Sequence, residues 1–554
     1  MTTQTLEVEV AIVGAGPVGL TLAIDLAQRG RSVVVLETRQ RGEPPNVKCN
    51  HVAARTMEQF RRLGVAQKVR DAGLPADYPN DVVFRTSVTG IELSRIHIPG
   101  RSTRYSDMSG PDGWWPTLEP PHRINQIYLE PILFAHAQVQ PGVTIRNRCE
   151  ATSFVQDDDG VSVEARDLDS GAAVHVRARF MIGCDGGRSM VRKALGIVFA
   201  GTPMIQKVQS TYIRAPRLLD LIPGKPAWSC YASNPRRSGV CFAIDGKETW
   251  LVHNHFQAHE TDFEAVDRDA SIRHILGVGA DFDYEILSKE DWIGRRLVAE
   301  RFREGRVFIC GDAAHLWVPY AGYGMNAGIA DAMNLSWHLS SHLAGWADKA
   351  GLDAYEIERQ PITDQVSRFA MDHAQQMIKA RGAVPPRIEE EGAEGDAIRA
   401  EAGRKAYELN VQQFCCAGLN FGYFYEGSPL IAYDGETPPA YTMGSFTAST
   451  GPGCRAPCFV LGDGRSLYDA FGSDYTLLRF DAAVEVAPLA DAARERGVPF
   501  TVLDIAREIA PAEYRHALVL CRADQHVAWR GDAAPDDPRA LVARLCGDLR
   551  AGDC

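Results

Sequence analysis

Several features that would place this chain in another class are missing. No uncharged apolar run reaches the roughly 18 residues that span a bilayer. No basic stretch precedes an apolar run at the N-terminus, where Glu7 and Glu9 stand instead. Positive charge is short: 59 Lys and Arg against 71 Asp and Glu leave a formal net charge of −12, which argues against nucleic acid or an anionic membrane as partner. There is no internal repeat and no Cys-x-x-Cys pair; Cys454 and Cys458 are one residue too far apart, and Pro457 intervenes. The 13 cysteines are odd in number and scattered, several inside apolar runs (Cys184, Cys241, Cys310, Cys521). They read as reduced, buried thiols of a cytoplasmic protein. At 554 residues the chain is too long for one core.

What is present begins with a glycine turn. Leu6 to Val13 reads as an apolar strand, and Gly14-Ala15-Gly16-Pro17-Val18-Gly19 follows it. A helical pattern then runs through Leu20, Leu22 and Leu26 to Gly30, and the strand Ser32 to Leu36 ends in Glu37. This is a complete βαβ dinucleotide fingerprint. Gly14 permits the tight turn, Gly16 lets the backbone approach a pyrophosphate, Gly19 allows close packing, and Glu37 is placed to accept ribose hydroxyls. The fingerprint alone leaves FAD and NAD both open.

A second stretch, Val307 to Asn326, matches it in kind. Val307 to Cys310 reads as a short buried strand that Gly311-Asp312 ends; from Gly324 an apolar pattern at helical spacing runs to about Leu343. A carboxylate at a strand end, then a glycine-bearing loop into a helix N-terminus, suits a ligand with hydroxyls for Asp312 and an electron-rich end for free N–H groups.

Between these stretches a helix is expected over Ala53 to Val69, strands near Val82–Phe84 and Gly90–Ile98, and a helix from Leu129 to near Gln138. A three-stranded meander is expected to close with the strand Phe180 to Cys184 and the motif Asp185-Gly-Gly-Arg-Ser189. Alternating strands at Lys207–Ile213, Ala227–Ser233, Val240–Ile244 and Thr249–His255, with a helix near Glu264–Leu276, suggest an antiparallel sheet that interrupts the nucleotide domain. The acidic run Glu389 to Glu391 reads as a mobile joint, and Gly427 to Pro457 as a long irregular connector. The last hundred residues read as a self-contained βαβ-like unit with a terminal hairpin.

Together, Gly14–Gly19 with Glu37, Asp185 to Arg192, and Gly311 to Asn326 resemble the three fingerprints of the FAD-dependent aromatic hydroxylases, the p-hydroxybenzoate hydroxylase-like group A monooxygenases. Arg55-Thr-Met-Glu58, Arg123 with Gln126, and Tyr355 to Pro361 are similar to the branch of phenol hydroxylase, 2,4-dichlorophenol monooxygenase and polyketide hydroxylases. Gly462 to Asp469 followed by Tyr475 to Arg479 is similar to the start of that branch's thioredoxin-like domain. The resemblance implies an α/β fold. A Rossmann-like FAD-binding domain would cover residues 1–80, 100–200 and 292–385, interrupted by an antiparallel-sheet substrate domain over 81–99 and 201–291. A helical and irregular connector (386–457) and a thioredoxin-like domain (458–554) would follow.

It also implies tightly but non-covalently bound FAD, transient NADPH or NADH on the same domain, O₂, and a small aromatic substrate oxygenated by a flavin hydroperoxide. A homodimer is a further expectation. By the same resemblance Asp312 binds the ribityl chain, Pro319 lies beside flavin and substrate, and Gly322, Gly324, Met325 and Asn326 form the loop at the flavin pyrimidine edge. Lys48 stands where the family has an arginine near the phosphates; Arg123 and Gln126 join the cofactor set, and Asp185 serves both FAD and the nicotinamide cofactor. Val318-Pro319 replaces the usual Pro-Pro, and Ala321-Gly322 the usual Gly-Gly.

Hydroxylating a phenol needs a group that draws on its hydroxyl proton. The candidates are His253 and His255 on one face of their strand, Tyr231 on the neighbouring strand, and Asn50 beside Lys48. Three other readings stay open: a flavoprotein epoxidase, an NAD-type dehydrogenase, and a flavin-bearing scaffold without turnover. The Trp-x-Trp-x-Ile-Pro motif usual in flavin halogenases is absent.

Overall fold

The computed structural model describes residues 4–48 and 50–548; the expected outer limits, residues 1 and 554, lie outside them. Its first sheet has eight strands, five of them side by side in the order Val307–Ile309, Ala173–Gly183, Gln4–Val13, Val33–Leu36, Val143–Arg146, all parallel. Parallel strands are covered on both faces and therefore read as unbroken apolar runs, as Val33–Leu36 and Val307–Ile309 do. The cover comes from the Pro17–Gln28 helix, packed against the Gly324–Leu343 helix. Leu20, Leu22, Ile24 and Leu26 of the first are fully buried.

Register brings the three distant motifs together. Gly183 is level with Val13 on one side and with Ile309 on the other. The turns beginning at Gly14, Cys184 and Cys310 therefore open on the same carboxyl-end edge, where open α/β sheets bind ligands.

The second sheet also has eight strands: His315–Trp317, Glu285–Ala299, Phe199–Arg214, Thr249–His255, Ser238–Ala243, Ser229–Ser233, Val82–Arg85 and Glu92–Ile96. All neighbours are antiparallel except Ser229–Ser233 with Val82–Arg85. Three of its strands depart from expectation: Phe199–Arg214 starts before the expected Lys207 and before the expected limit at residue 201. Glu285–Ala299 runs without a break through the expected limit at residue 292. Its first half is solvent-exposed and charged, so the sequence shows no apolar alternation there. His315–Trp317, from the heart of the second nucleotide stretch, adds an edge strand to this sheet and so fastens one layer to the other.

The meander forms from Cys149–Gln156, Val161–Asp167 and Ala173–Gly183, but its last strand and the expected strand Phe180 to Cys184 are one element. The helix expected over Ala53 to Val69 is two, Ala54–Arg62 and Ala66–Arg70. Gly64, at φ +76°, turns the chain between them.

The third sheet runs Phe500–Asp504, Tyr475–Arg479, Leu518–Arg522, Val527–Gly531, the first pair parallel and the rest antiparallel. This is the thioredoxin-like unit, and it is not free-standing: Trp337 and Trp346 enter its core beside Tyr475 and Leu520. The segment before it contains the helix Ala393–Phe414 and then irregular chain whose Leu430 and Ile431 are buried. Glu389, in the acidic run, is held by Arg236 through two 2.7 Å hydrogen bonds. Among the described residues no helix is long and apolar enough to cross a membrane.

Candidate active site

The glycine turn is built as its chemistry requires. Gly14 has φ +103°, and a side chain there would place its Cβ 2.4 Å from the carbonyl oxygen of Cys184. A Cβ on Gly19 would come within 2.1 Å of the Gly14 oxygen. Gly16 is the opposite case: a Cβ there meets nothing within 4 Å, so the backbone at the helix start faces open space. The Pro17–Gln28 helix has no side-chain cap, and its first N–H groups are left for an anion.

Glu37 accepts from the backbone N–H of Ala15 at 2.7 Å and of Arg39 at 2.9 Å. Burial would raise its carboxyl, but the Arg39 backbone and guanidinium and the Ala15 N–H outweigh burial and hold it below the usual range. It lines a smaller cavity of about 150 Å³ with Ala15, Arg39 and Glu130.

The main cavity, about 500 Å³, starts at Gly16, Pro17 and Val18 and runs past Lys48, Asn50, Arg123, Gln126, Asp312, Pro319, Gly322, Gly324 and Met325. It continues to Tyr231, His253 and His255 on the second sheet. The Asp312 carboxylate lines it with no hydrogen-bond partner among the described residues. Ala321 and Gly322 both have φ +59°, a left-handed pair that turns the backbone into the uncapped N-terminus of the Gly324–Leu343 helix. Successive N–H groups in such a turn form an anion-binding concavity.

Two of the expected cofactor residues act at one remove. Asn326 accepts from the Ala53 N–H at 2.8 Å and donates to the carbonyls of His51 (3.1 Å) and Gly322 (2.7 Å), fixing the loop instead of lining the cavity. Asp185 accepts on one carboxylate oxygen from the N–H groups of Met190 (2.7 Å) and Val191 (3.1 Å); its other oxygen is buried without a partner among the described residues. Asn50 accepts from the Asn125 amide, and Gln126 donates to Glu130 at 3.0 Å.

The second-sheet wall is aromatic: Trp228, Tyr231, Phe242 and Trp292, joined by Phe414 from the Ala393–Phe414 helix. The His253 ring sits edge-on to Phe242 (5.4 Å) and Trp292 (5.8 Å) and has no hydrogen-bond partner among the described residues. Burial pushes it down to about 4, so it is neutral at pH 7. Burial, then Arg381 and His253, holds His255 well below its usual value, and burial raises the Tyr231 hydroxyl.

Sequence reasoning missed several wall residues. His315 lines the cavity, stacks on Trp317 (4.7 Å) and meets the fully buried Asp331 at 2.7 Å. Asp331 also accepts from Arg359 at 2.8 Å. His315 lay inside the Val307 to Asn326 stretch; the signal was Asp331 sixteen residues on, inside the following helix. Phe414 carried no signal, since its helix read as connector.

The open cradle at Gly16, the unpaired Asp312, the Glu37 seat and two uncapped helix starts fit a dinucleotide bearing hydroxyls, a pyrophosphate and an electron-rich ring, as FAD does. Residues 7–370 match the family model described as FAD binding domain. The chain is 30% identical to FAD-dependent monooxygenase apdD of Emericella nidulans, covering 97% of this chain and 90% of that one. It is 30% identical to phenol 2-monooxygenase of Pseudomonas sp., covering 100% and 94%. The structure of RebC soaked with chromopyrrolic acid and holding 7-carboxy-K252c is 33% identical, with a TM-score of 0.88 over 98% of this chain and 99% of that one. The chain belongs to the FAD binding domain family, among its FAD-dependent aromatic monooxygenases.

Proposed function

We propose that the protein hydroxylates an activated aromatic ring, phenol- or pyridinol-like, with NAD(P)H as electron donor and O₂ as oxidant. One observation carries this reading: a single cavity joins the Gly16, Asp312 and Gly322–Met325 seat to an aromatic wall bearing the unpaired His253 ring. FAD, when bound, would supply the redox chemistry, taking electrons from NAD(P)H and passing one oxygen atom of O₂ to the ring.

The chain's own residues have separable tasks. Gly16 and the Pro17–Gln28 helix start would hold the pyrophosphate, with Lys48 beside it, Glu37 the adenosine ribose, and Asp312 the ribityl hydroxyls. The left-handed turn at Ala321-Gly322 and the helix start at Gly324 would face negative charge collecting on the pyrimidine edge. Pro319 would border both halves of the cavity. His253, neutral and unpaired, would accept a hydrogen bond from the ring hydroxyl and so raise the electron density of the ring. His255 and Tyr231 would complete that wall, Tyr231 as a donor because its hydroxyl stays protonated. The aromatic lining would keep water from the reacting oxygen. The buried, unpaired thiols fit a reducing, cytoplasmic compartment.

The test is NAD(P)H oxidation across a panel of hydroxylated aromatics. The right ring is expected to speed oxidation at least about tenfold, some 1.4 kcal/mol of barrier. One atom of ¹⁸O₂ should enter the product beside an existing hydroxyl. Label arriving from H₂¹⁸O, or no ring product from any hydroxylated aromatic, overturns the reading.

A further inference from the structure

Buried arginines in this molecule follow a rule that one of them breaks. Arg522 is paired with Glu358 and Asp524, Arg359 with Asp331, Arg455 with Glu58, Arg104 with Asp112. Arg55 and Arg192, which have no carboxylate in contact, donate to backbone carbonyls of Asp524, Gly187 and Ala313. Every other arginine buried among the described residues likewise reaches a carboxylate or a carbonyl. Arg123, 4% exposed, reaches neither. Its Nη1 faces His51 Nδ1, and its Nη2 is buried with no partner among the described residues. Asp112, the acid that most offsets its charge, has its carboxylate engaged by Arg104 and by Trp115 Nε1 at 3.1 Å. Nor does His51 neutralise it: burial, then Arg123 and His122, keeps that ring uncharged.

An uncompensated guanidinium in a protein interior is costly, and buried charges are normally paired. Arg123 lines the main cavity, so its counter-ion can be a ligand. Which end of the cavity it serves follows from its packing. The guanidinium lies 4.4 Å from the Trp228 ring and 5.9 Å from the Phe414 ring, both on the aromatic wall. It makes no hydrogen bond to the glycine turn, to Asp312 or to the Gly322–Met325 loop. The two rings flank the guanidinium, whose planar fork can take a delocalised oxyanion through two parallel N–H groups.

We infer that Arg123 is a substrate residue and that the substrate is an aromatic acid. The ring carries a delocalised oxyanion, a carboxylate or an ionised enol conjugated to a carbonyl, that docks on Arg123 while the ring lies along Trp228 and Phe414. The inference rests on the hydroxylase reading of the same cavity. It moves Arg123 out of the cofactor set, where the family resemblance puts it.

The experiment titrates the FAD-loaded enzyme with matched pairs, a hydroxylated aromatic carboxylic acid and its neutral primary amide, in one-ring and fused-ring sizes, following the flavin absorbance. A parallel arm uses a hydroxyquinone, ionised at the working pH, against its O-methyl ether. In wild type at least one anionic member is expected to bind about tenfold or more tighter than its neutral partner, as one charge-assisted hydrogen bond allows. Arg123→Met should abolish the preference at unchanged FAD content, and Arg123→Lys should restore part of it. Three outcomes overturn the assignment: no anion preference in wild type, a preference that survives in Arg123→Met, or loss of FAD from both variants. Anion-selective binding with no ring product from any ligand would instead sink the hydroxylase reading and leave the docking of an oxyanion on Arg123 standing.

Discussion

Arg522 and Glu358 form a two-pronged ion pair, 2.5 and 2.9 Å, with both side chains fully buried. Arg522 belongs to the third sheet and Glu358 to the Lys349–Gly382 helix, so the pair joins that sheet to the helix packed on Gly324–Leu343. The next residue on that helix, Arg359, grips Asp331, which in turn holds His315 on the cavity wall. Asn334 (2.7 Å) and Ser428 (2.6 Å) also donate to the Glu358 carboxylate, and His338 Nε2 lies 3.3 Å from it. Breaking a buried pair costs up to about 3–5 kcal/mol, here lessened because Asp524 still meets Arg522 at 2.8 Å when Glu358 is replaced. Glu358→Gln is therefore expected to lower the unfolding midpoint sharply, measured by thermal or urea denaturation. Replacing both residues by leucine should cost less than the two single changes summed; strict additivity would show that the two sides act independently.

Asp312 has a different kind of importance. Its carboxylate has no hydrogen-bond partner among the described residues, so it ties no element of the fold to another there. Asp312→Ala should leave the unfolding midpoint of the FAD-free protein unchanged yet weaken FAD binding by about 1.5–3 kcal/mol, roughly ten- to a hundredfold. The variant is expected to purify largely colourless. Full flavin retention would remove Asp312 from the cofactor site.

The nucleotide half was legible because each motif sits at the end of a short, uninterrupted apolar strand. Register then brings Val13, Gly183 and Ile309 level without further information. The turn at Gly14 and the helix start at Gly324 were legible for the same reason. Less legible was what depends on partners distant in sequence. Glu285–Ala299 hid because half of it faces solvent. Asn326 is expected in the loop, but nothing local shows that its side-chain amide bridges Ala53, His51 and Gly322. The resemblance puts Arg123 in the cofactor set, while its ring partners, Trp228 and Phe414, come from about 100 and 290 residues away. No local pattern encodes that.

Ala321 occupies a left-handed conformation that costs a residue with a Cβ about 1 kcal/mol. Ala321→Gly removes that strain but frees the unfolded chain by a similar about 0.4–1 kcal/mol. The expected result is an unchanged midpoint and full FAD content. Ala321→Val, with a branched Cβ at φ +59°, should destabilise by about 1–3 kcal/mol and loosen the flavin. If valine were tolerated as well as glycine, the turn would not be fixed in this form in solution.

The two cysteines nearest to a redox spacing are poor candidates for redox chemistry. Burial pushes both the Cys454 and Cys458 thiols up to about 11, so neither is ionised at pH 7. Cys458 instead rests against the Ser466 hydroxyl at 3.4 Å. Replacing both by serine should leave turnover unchanged in a steady-state assay. A large loss of activity with the fold intact would assign them a role in electron transfer.

The last expectation concerns acid. Burial holds His122 and His526 down to about 3 and His373 down to about 4, against an unfolded value near 6.5. In the folded protein these rings stay neutral, while in the unfolded chain they take up protons as pH falls through 6.5. The unfolded state therefore binds more protons between about pH 6.5 and 4, and stability must fall with pH across that window. Each ring contributes up to about 1.4 kcal/mol per pH unit. Asp25, Asp331 and Asp524, whose carboxyls burial would raise but neighbouring arginines and histidines hold low, add their own loss only below about pH 4. Glu37 and Glu358, also held low, add theirs below about pH 5.5, so the midpoint followed from pH 7 to about 5.5 isolates the histidines. His373, packed edge-on to Tyr320 at 5.2 Å, offers the cleanest check. His373→Phe keeps the ring and removes the titration, so its stability profile should be shallower than wild type by about one proton's worth of slope. A profile parallel to wild type would mean that His373 is already protonated in the folded protein.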